Sequence, residues 1–191
     1  NIMGKKPLNE QQVKILRKML AGRRLHTLLL NLGVDTMLRA SDLLKLKTKD
    51  VMHESREPKT EVKIKQKKTG KHTLLMPLSE NSRDAIKMFL IDTNMDDYIF
   101  TGQLSHLTRN PITVKQYGRI VKGWMKLLGV EDLDQYASHS VRKCKATVIF
   151  NKTRNIDAVR RLLGQSSVTA TSSYIGVTDN SALELARNIN V

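Results

Sequence analysis

Between Ser138 and Tyr174 the sequence gathers residue types that can act on an anion. It reads Ser138-His139-Ser140-Val141-Arg142-Lys143, then Arg161-Leu162-Leu163-Gly164-Gln165-Ser166-Ser167 and on to Tyr174. His139 and Arg142 are three apart in a stretch where Val141, Ala146 and Val148 have helical spacing, so both can point from one face toward one ligand. Gly164 closes a short amphipathic stretch, Gln165 follows it, and Tyr174 stands nine residues further on, at the end of a Ser/Thr-rich run. An imidazole and a permanently charged guanidinium on one face make a strong anion site, with a phenol beside it.

This layout resembles the tyrosine recombinase, or phage integrase, family of DNA strand-exchange enzymes. That family carries H-x-x-R, then L-G-H-S-S with a T-T pair, then a nucleophilic tyrosine nine positions after the second histidine. Here Leu163, Gly164, Ser166, Ser167 and Tyr174 fall in place, with Gln165 at the histidine position. The family's first arginine lies in G-L-R-x-x-E-L, which Met37-Leu38-Arg39-Ala40-Ser41-Asp42-Leu43 matches with Asp42 for the glutamate. Its hairpin lysine lies in a K-T-G-K turn before V-P-L, and Lys68-Thr69-Gly70-Lys71 ahead of Met76-Pro77-Leu78 fits. Four motifs in the family's order, over roughly residues 7–178, are specific for the family and silent on the member.

The resemblance implies a chemistry. Tyrosine attack on a DNA phosphodiester builds negative charge on the non-bridging oxygens, which Arg39 and Arg142 would clamp with charged forks. His139 would accept the tyrosine proton or bond the phosphate, because with a phenol pKa near ~10 only about one tyrosine in a thousand is ionised at neutral pH. The leaving 5′ hydroxyl needs a proton, which a lysine among other cations can supply. Lys68 is the family's equivalent, with Lys67 and Lys71 as rivals. Gln165 can donate a hydrogen bond to a phosphate oxygen but cannot shuttle a proton. The covalent 3′-phosphotyrosine keeps the bond energy for resealing, so no metal or other cofactor is implied.

It also implies a mainly α fold with a small three-stranded antiparallel β-sheet, the DNA breaking-rejoining (integrase catalytic) fold. Residues 1–191 would form one catalytic domain, without the N-terminal core-binding domain of the family, and residues 179–191 a helix exchanged between protomers. The partners would be double-stranded DNA and other copies of the chain, as a tetramer on paired sites or a monomer when isolated. The setting would be the cytoplasm of a bacterial, phage or mobile-element host cell, the role integration or excision of a mobile element. Lys67, Lys71, Lys143 and Arg109 are expected to contact DNA. Two other readings compete. A type IB topoisomerase shares the tyrosine chemistry, but the L-G-x-S-S spacing argues against it. A silent DNA-binding regulator draws support from Gln165 and is opposed by the retention of Arg39, Lys68, His139, Arg142 and Tyr174.

Composition agrees with a nucleic-acid partner. The 191 residues, 40% of them hydrophobic, are enough for one well-packed domain. Lys and Arg number 33 against 18 Asp and Glu, and the resulting +15 points to a polyanion, either nucleic acid or an anionic membrane surface. No apolar run approaches the ~18 residues that span a bilayer. The basic residues are spread along the chain instead of forming a basic amphipathic helix, which favours nucleic acid. The one cysteine, Cys144, has no intrachain partner and is compatible with a reducing compartment. The start, Asn1-Ile2-Met3-Gly4, has neither an initiator methionine at position 1 nor a signal-peptide pattern, as expected of a fragment or a tagged chain.

The elements that must position these groups are read from caps and periodicity. Asn9 with Gln12 opens a helix over 9–21, and a leucine-rich helix over 24–32 is expected to end at Gly33. Arg39 follows in a turn before a short helix carrying Leu43, Leu44 and Leu46; it either snorkels to the surface or is held by a buried partner. Strands are expected at Val62–Gln66 and Thr73–Met76 around a 67–71 turn, with a third near Val51–Glu54. Helices follow over 80–90, from Thr113 to Gly129, and over 139–150, 156–163 and 167–174. In the second of these Tyr117, Ile120, Trp124 and Leu127 or Leu128 form a core stripe, with Trp124 read as core and not as a base-stacking platform. A polar loop from Gly102 to Pro111 carries Arg109, and a last helix capped by Asp179-Asn180 carries Leu183, Leu185 and Ile189.

Overall fold

The structure, a computed structural model, describes residues 4–102, 109–177 and 179–190 and is mainly helical. Helix α1 (Glu10–Met19) starts at the expected capping box, with the Gln12 N–H donating to the Asn9 side chain and the Asn9 N–H to that of Gln12. Helix α2 (Arg24–Thr36) is the central rod, its residues 28–36 all buried. It runs past Gly33, which was expected to end it. The glycine serves close packing: a Cβ there would lie 2.8 Å from the Tyr117 hydroxyl and 2.8 Å from Val141 Cγ1. The helix ends instead at Met37, in the left-handed region at φ 50°, and this bend delivers the chain to Arg39.

Two short helices follow, α3 (Ala40–Leu43) and α4 (Thr48–Val51). The expected third strand does not form, and the sheet among the described residues has two strands, β1 (Glu61–Val62) and β2 (Met76–Pro77), antiparallel with Val62 opposite Met76. Residues 51–59 pair with themselves: the His53 N–H donates to Glu57 O and the Lys59 N–H to Val51 O. Pro58, which has no N–H, takes the one bridge position opposite Met52. Beyond β1 the hairpin continues through Thr73 N–H to Ile64 O and Gln66 N–H to Lys71 O. Val62 and Gln66 point inward while Lys63 and Lys65 stay exposed, the alternation expected of this run.

Helix α5 (Glu80–Leu90) leaves the hairpin and packs on α2. One buried carboxylate joins them: Asp35 Oδ2 accepts from the Ser79 N–H and from the Ser79 and Ser82 hydroxyls at 2.6–2.8 Å. Helix α6 (Val114–Leu127) begins at the Thr113–Gln116 capping box and buries Tyr117, Val121, Trp124 and Met125. Leu128, not Leu127, completes its stripe, since Leu127 is 51% exposed. The Trp124 indole N–H donates to His26 Nδ1 at 2.8 Å, so this ring belongs to the core. Of the expected loop from Gly102 to Pro111, residues 103–108 lie outside the described residues. Arg109 is exposed beside a cavity of about 490 Å³ that Arg24, Asp97 and Tyr98 also line.

From Ser138 on, the described residues form four α-helices: α7 (Ser138–Thr153), α8 (Ile156–Leu163), α9 (Val168–Ile175) and α10 (Asp179–Asn188). The first three pack on one another, and α7 also packs on α2. Helix α10 starts at Asp179 itself and buries no residue, leaving Leu183, Leu185 and Ile189 exposed. Among the described residues no helix is long and apolar enough to cross a membrane.

The contact at Gly33 yields a measurable expectation. Gly33→Ala forces a methyl into the Tyr117 and Val141 side chains, and overpacking of this kind costs about 1–3 kcal/mol. The denaturation midpoint should fall, and adding Tyr117→Phe should restore part of the loss. A Gly33→Ala chain as stable as the parent would show that α6 and α7 can move away from α2 freely.

Candidate active site

The site is assembled where α2, α7, α8 and α9 meet. Ser140 sets the start of α7: its hydroxyl accepts the Ala137 N–H at 3.0 Å and its carbonyl accepts the Leu8 N–H at 3.1 Å. His139 lies in that first turn and Arg142 one turn on. Arg142 is 3% exposed. Its Nη1 donates to Met37 O at the end of α2, and its Nη2 to Leu163 O at the end of α8, 3.3 Å away. Helix C-termini leave carbonyls without intrahelical partners and carry partial negative charge, so two of them hold this cation without a carboxylate. Arg142 Nε is buried and has no partner.

Tyr174, near the end of α9, closes on the same point. The His139 ring meets it edge-on at 5.0 Å between centroids, the Arg142 guanidinium carbon lies 5.6 Å from the ring centre and Lys143 Nζ 5.0 Å from it. Cations at such distances are attracted to an aromatic face. Burial pushes the Tyr174 hydroxyl well above its ordinary pKa, against the pull of Arg142 and Arg39. Arg142 is near enough to favour the phenolate, yet the buried hydroxyl makes no hydrogen bond of normal geometry.

Lys143, expected to face DNA, is placed inside. It is 4% exposed, and its ammonium donates to Lys5 O at 2.8 Å, with burial pulling its pKa down. His139 keeps an exposed surface, but burial of part of its ring together with the Arg142, Lys143 and Arg39 charges pushes its pKa down to about 4. At neutral pH it is an uncharged imidazole, able to accept a proton.

Arg39 takes the second of its two sequence readings. Half-buried, it donates through Nη1 to Gln66 Oε1 at 3.0 Å, and Gln66 is 4% exposed. Asp42 accepts the Lys67 N–H at 3.0 Å through Oδ1, and its other oxygen is buried without a partner. Lys67, Lys68 and Lys71 are all exposed on the hairpin turn, so the structure does not choose among them. Gln165 is half-buried. Its backbone is held by Arg160, and its side-chain oxygen is buried and unpaired. The structure therefore brings His139, Arg142 and Tyr174 into direct contact, with Arg39 in electrostatic range of all three. Sequence reasoning missed Gln66 and the inward Lys143. The signal for Gln66 was present, since a polar residue shares the buried register of Val62. Among the described residues no three His, Cys, Asp or Glu side chains gather as a metal site.

Comparison with known proteins finds relatives both in sequence and in fold. The sequence pattern of the Phage integrase family matches residues 6–181. The probable integrase/recombinase YoeC of Bacillus subtilis (strain 168) is 29% identical over 148 residues, covering 78% of this chain and 75% of that protein. A tyrosine recombinase of Pseudothermotoga lettingae is 31% identical over 144 residues, 74% of this chain and 46% of its own length. The crystal structure of XerH site-specific recombinase bound to palindromic difH substrate, in a post-cleavage complex, is similar in fold. Its TM-score is 0.70 at 20% identity, over 95% of this chain and 52% of that one. The chain spans about half the length of the last two proteins.

Burial of the His139 ring, together with the cations around it, sets a pH dependence. His139 holds its proton only below about 4 in the folded chain, whereas an unfolded histidine takes one up near ~6.5. The unfolded state therefore binds more protons between these values, and stability falls as pH drops from about 6.5 toward 4. The slope of unfolding free energy in that window should be shallower for His139→Gln, and the His139 ring should titrate near 4 by NMR. A midpoint at an ordinary histidine value would mean that neither burial nor the cations bear on this ring.

Proposed function

The chain belongs to the phage integrase family, and on that premise we propose that it is the catalytic part of a site-specific tyrosine recombinase that cuts and rejoins DNA through a covalent 3′-phosphotyrosine. The observation that carries this reading is the unpaired Tyr174 hydroxyl beside a buried guanidinium that has no carboxylate partner. A phosphodiester entering between Arg39 and Arg142 supplies the missing negative charge. Tyr174 Oη attacks the phosphorus, and its proton passes to the neutral His139. The bond to the 5′ oxygen breaks, that oxygen takes a proton from Lys68, and the phosphate remains on Tyr174. The two arginines stabilise the charge of the transition state from fixed positions, the contribution that usually dominates. Gln165 supplies an amide donor to the same phosphate. Reversal with the 5′ hydroxyl of another strand completes an exchange.

The +15 charge supports double-stranded DNA as partner, as does the XerH relative, whose structure holds its difH substrate. Lys67, Lys71 and Arg109, all exposed, are the contacts proposed to DNA outside the site. Residues 1–191 act in this reading as one catalytic domain in a mobile element's integration or excision. The unburied helix α10, with Leu183 and Leu185 exposed, would pass to a neighbouring protomer in a tetramer on paired sites.

Covalent trapping tests the nucleophile. Nicked duplexes carrying candidate sites should give a denaturation-resistant adduct with the parent chain and none with Tyr174→Phe. An adduct that survives in the phenylalanine variant would sink the assignment. The acid is tested separately: Lys68→Ala should lose cleavage by about 10²–10⁴-fold. It should regain cleavage on a substrate whose leaving oxygen is replaced by sulfur, which departs without a proton. If sulfur restores nothing while binding is intact, the proton comes from Lys67 or Lys71.

A further inference from the structure

A neutral amide lies buried at the root of a hairpin otherwise crowded with lysines. Gln66 is 4% exposed, while its neighbours Lys65 and Lys67 are exposed. Its backbone closes the turn, the N–H donating to Lys71 O and the carbonyl accepting the Gly70 N–H, both at 2.9 Å. Its side chain leaves the hairpin and accepts from Arg39 Nη1 at 3.0 Å. The other side of the amide meets Gly164. A Cβ there would lie 3.1 Å from Gln66 Nε2, and the backbone at φ +67° already favours glycine. The next residue adds a second tie, from the Lys67 N–H to Asp42, which sits one helical turn after Arg39.

These contacts aim the guanidinium. Arg39 is half-exposed and would otherwise sample several rotamers, each of which must be abandoned when an anion is clamped. One in-plane bond to a fixed acceptor removes most of that freedom. The acceptor is uncharged, so it orients the fork without cancelling the charge that a phosphate needs. A carboxylate at the same place would do both.

We propose that Gln66 is a positioning residue that orients Arg39 for the phosphate and acts through Arg39 alone. This rests on the strand-exchange reading for its purpose, but not for its geometry. The geometry is read in the free protein from the guanidinium NMR signals. In the parent chain the Arg39 Nη protons should be individually visible, because the bond to Gln66 slows rotation, and added inorganic phosphate should shift Arg39 and Arg142 together. In Gln66→Met the Arg39 signals should merge and phosphate affinity should fall about tenfold, with Arg142 unmoved. Gln66→Glu, which keeps the bond, should keep Arg39 ordered and still weaken phosphate binding. On a cleavable site Gln66→Met should slow adduct formation about 10–100-fold and add no further loss in an Arg39→Ala background. Unchanged Arg39 signals and phosphate affinity, or an equal loss in both backgrounds, would overturn the proposal. If these signals behave as expected but no Tyr174-dependent adduct forms on any site, the strand-exchange reading fails while the coupling of Gln66 to Arg39 stands.

Discussion

A buried guanidinium without a counter-carboxylate is the constraint around which the rest of the site is arranged. Moving a charge out of water costs several kcal/mol even after relaxation, and Arg142 is almost wholly enclosed. The chain offsets that cost with oriented dipoles. The ends of α2 and α8 must both arrive beside α7 to present Met37 O and Leu163 O. This requires the left-handed residue that ends α2 and the left-handed Gly164 that ends α8. Dipoles stabilise the cation without neutralising it. Burial and then the remaining field keep His139 uncharged, and the same field pulls against the burial of Tyr174.

The same logic explains why the neighbouring groups are what they are. Arg39 rests on an amide, Arg142 on two carbonyls and Lys143 on a third. All these acceptors are neutral. The six ion pairs among the described residues are exposed or partly so, and none involves a residue of this cluster. Asp42, a carboxylate whose charge reaches Arg142, accepts the Lys67 N–H with one oxygen. A site made in this way holds an excess of positive charge when empty and reaches balance only with an anion inside it.

Local signals were legible in the sequence and distant ones were not. The capping boxes at Asn9 and Thr113 involve residues three apart, so their helices start where the letters place them. Gly33 was misread because its reason is spatial: Tyr117 and Val141 press on it from other helices, and nothing adjacent in sequence records that. The third strand failed because Pro58 and the self-paired 51–59 segment outweigh a short apolar pattern. Of the candidate site residues that the structure brings together, His139, Arg142 and Tyr174 were suggested by their spacing and Arg39 by the family resemblance. Lys143 could not be placed, since its burial depends on the carbonyl of Lys5 far upstream. Gln66 could have been, because a glutamine in the inward register of a hairpin needs a partner.

The bare hydroxyl of Tyr174 has a consequence for the reaction coordinate. A buried phenol oxygen with no hydrogen bond of normal geometry is under-stabilised at rest, and the Arg142 charge beside it offsets only part of the burial. In the proposed reaction, a nucleophile held by a strong donor or acceptor would have to abandon that bond before approaching phosphorus, and the loss would appear in the barrier. Tyr174 in that role would have little to abandon, and an incoming phosphate would restore the contact its oxygen lacks.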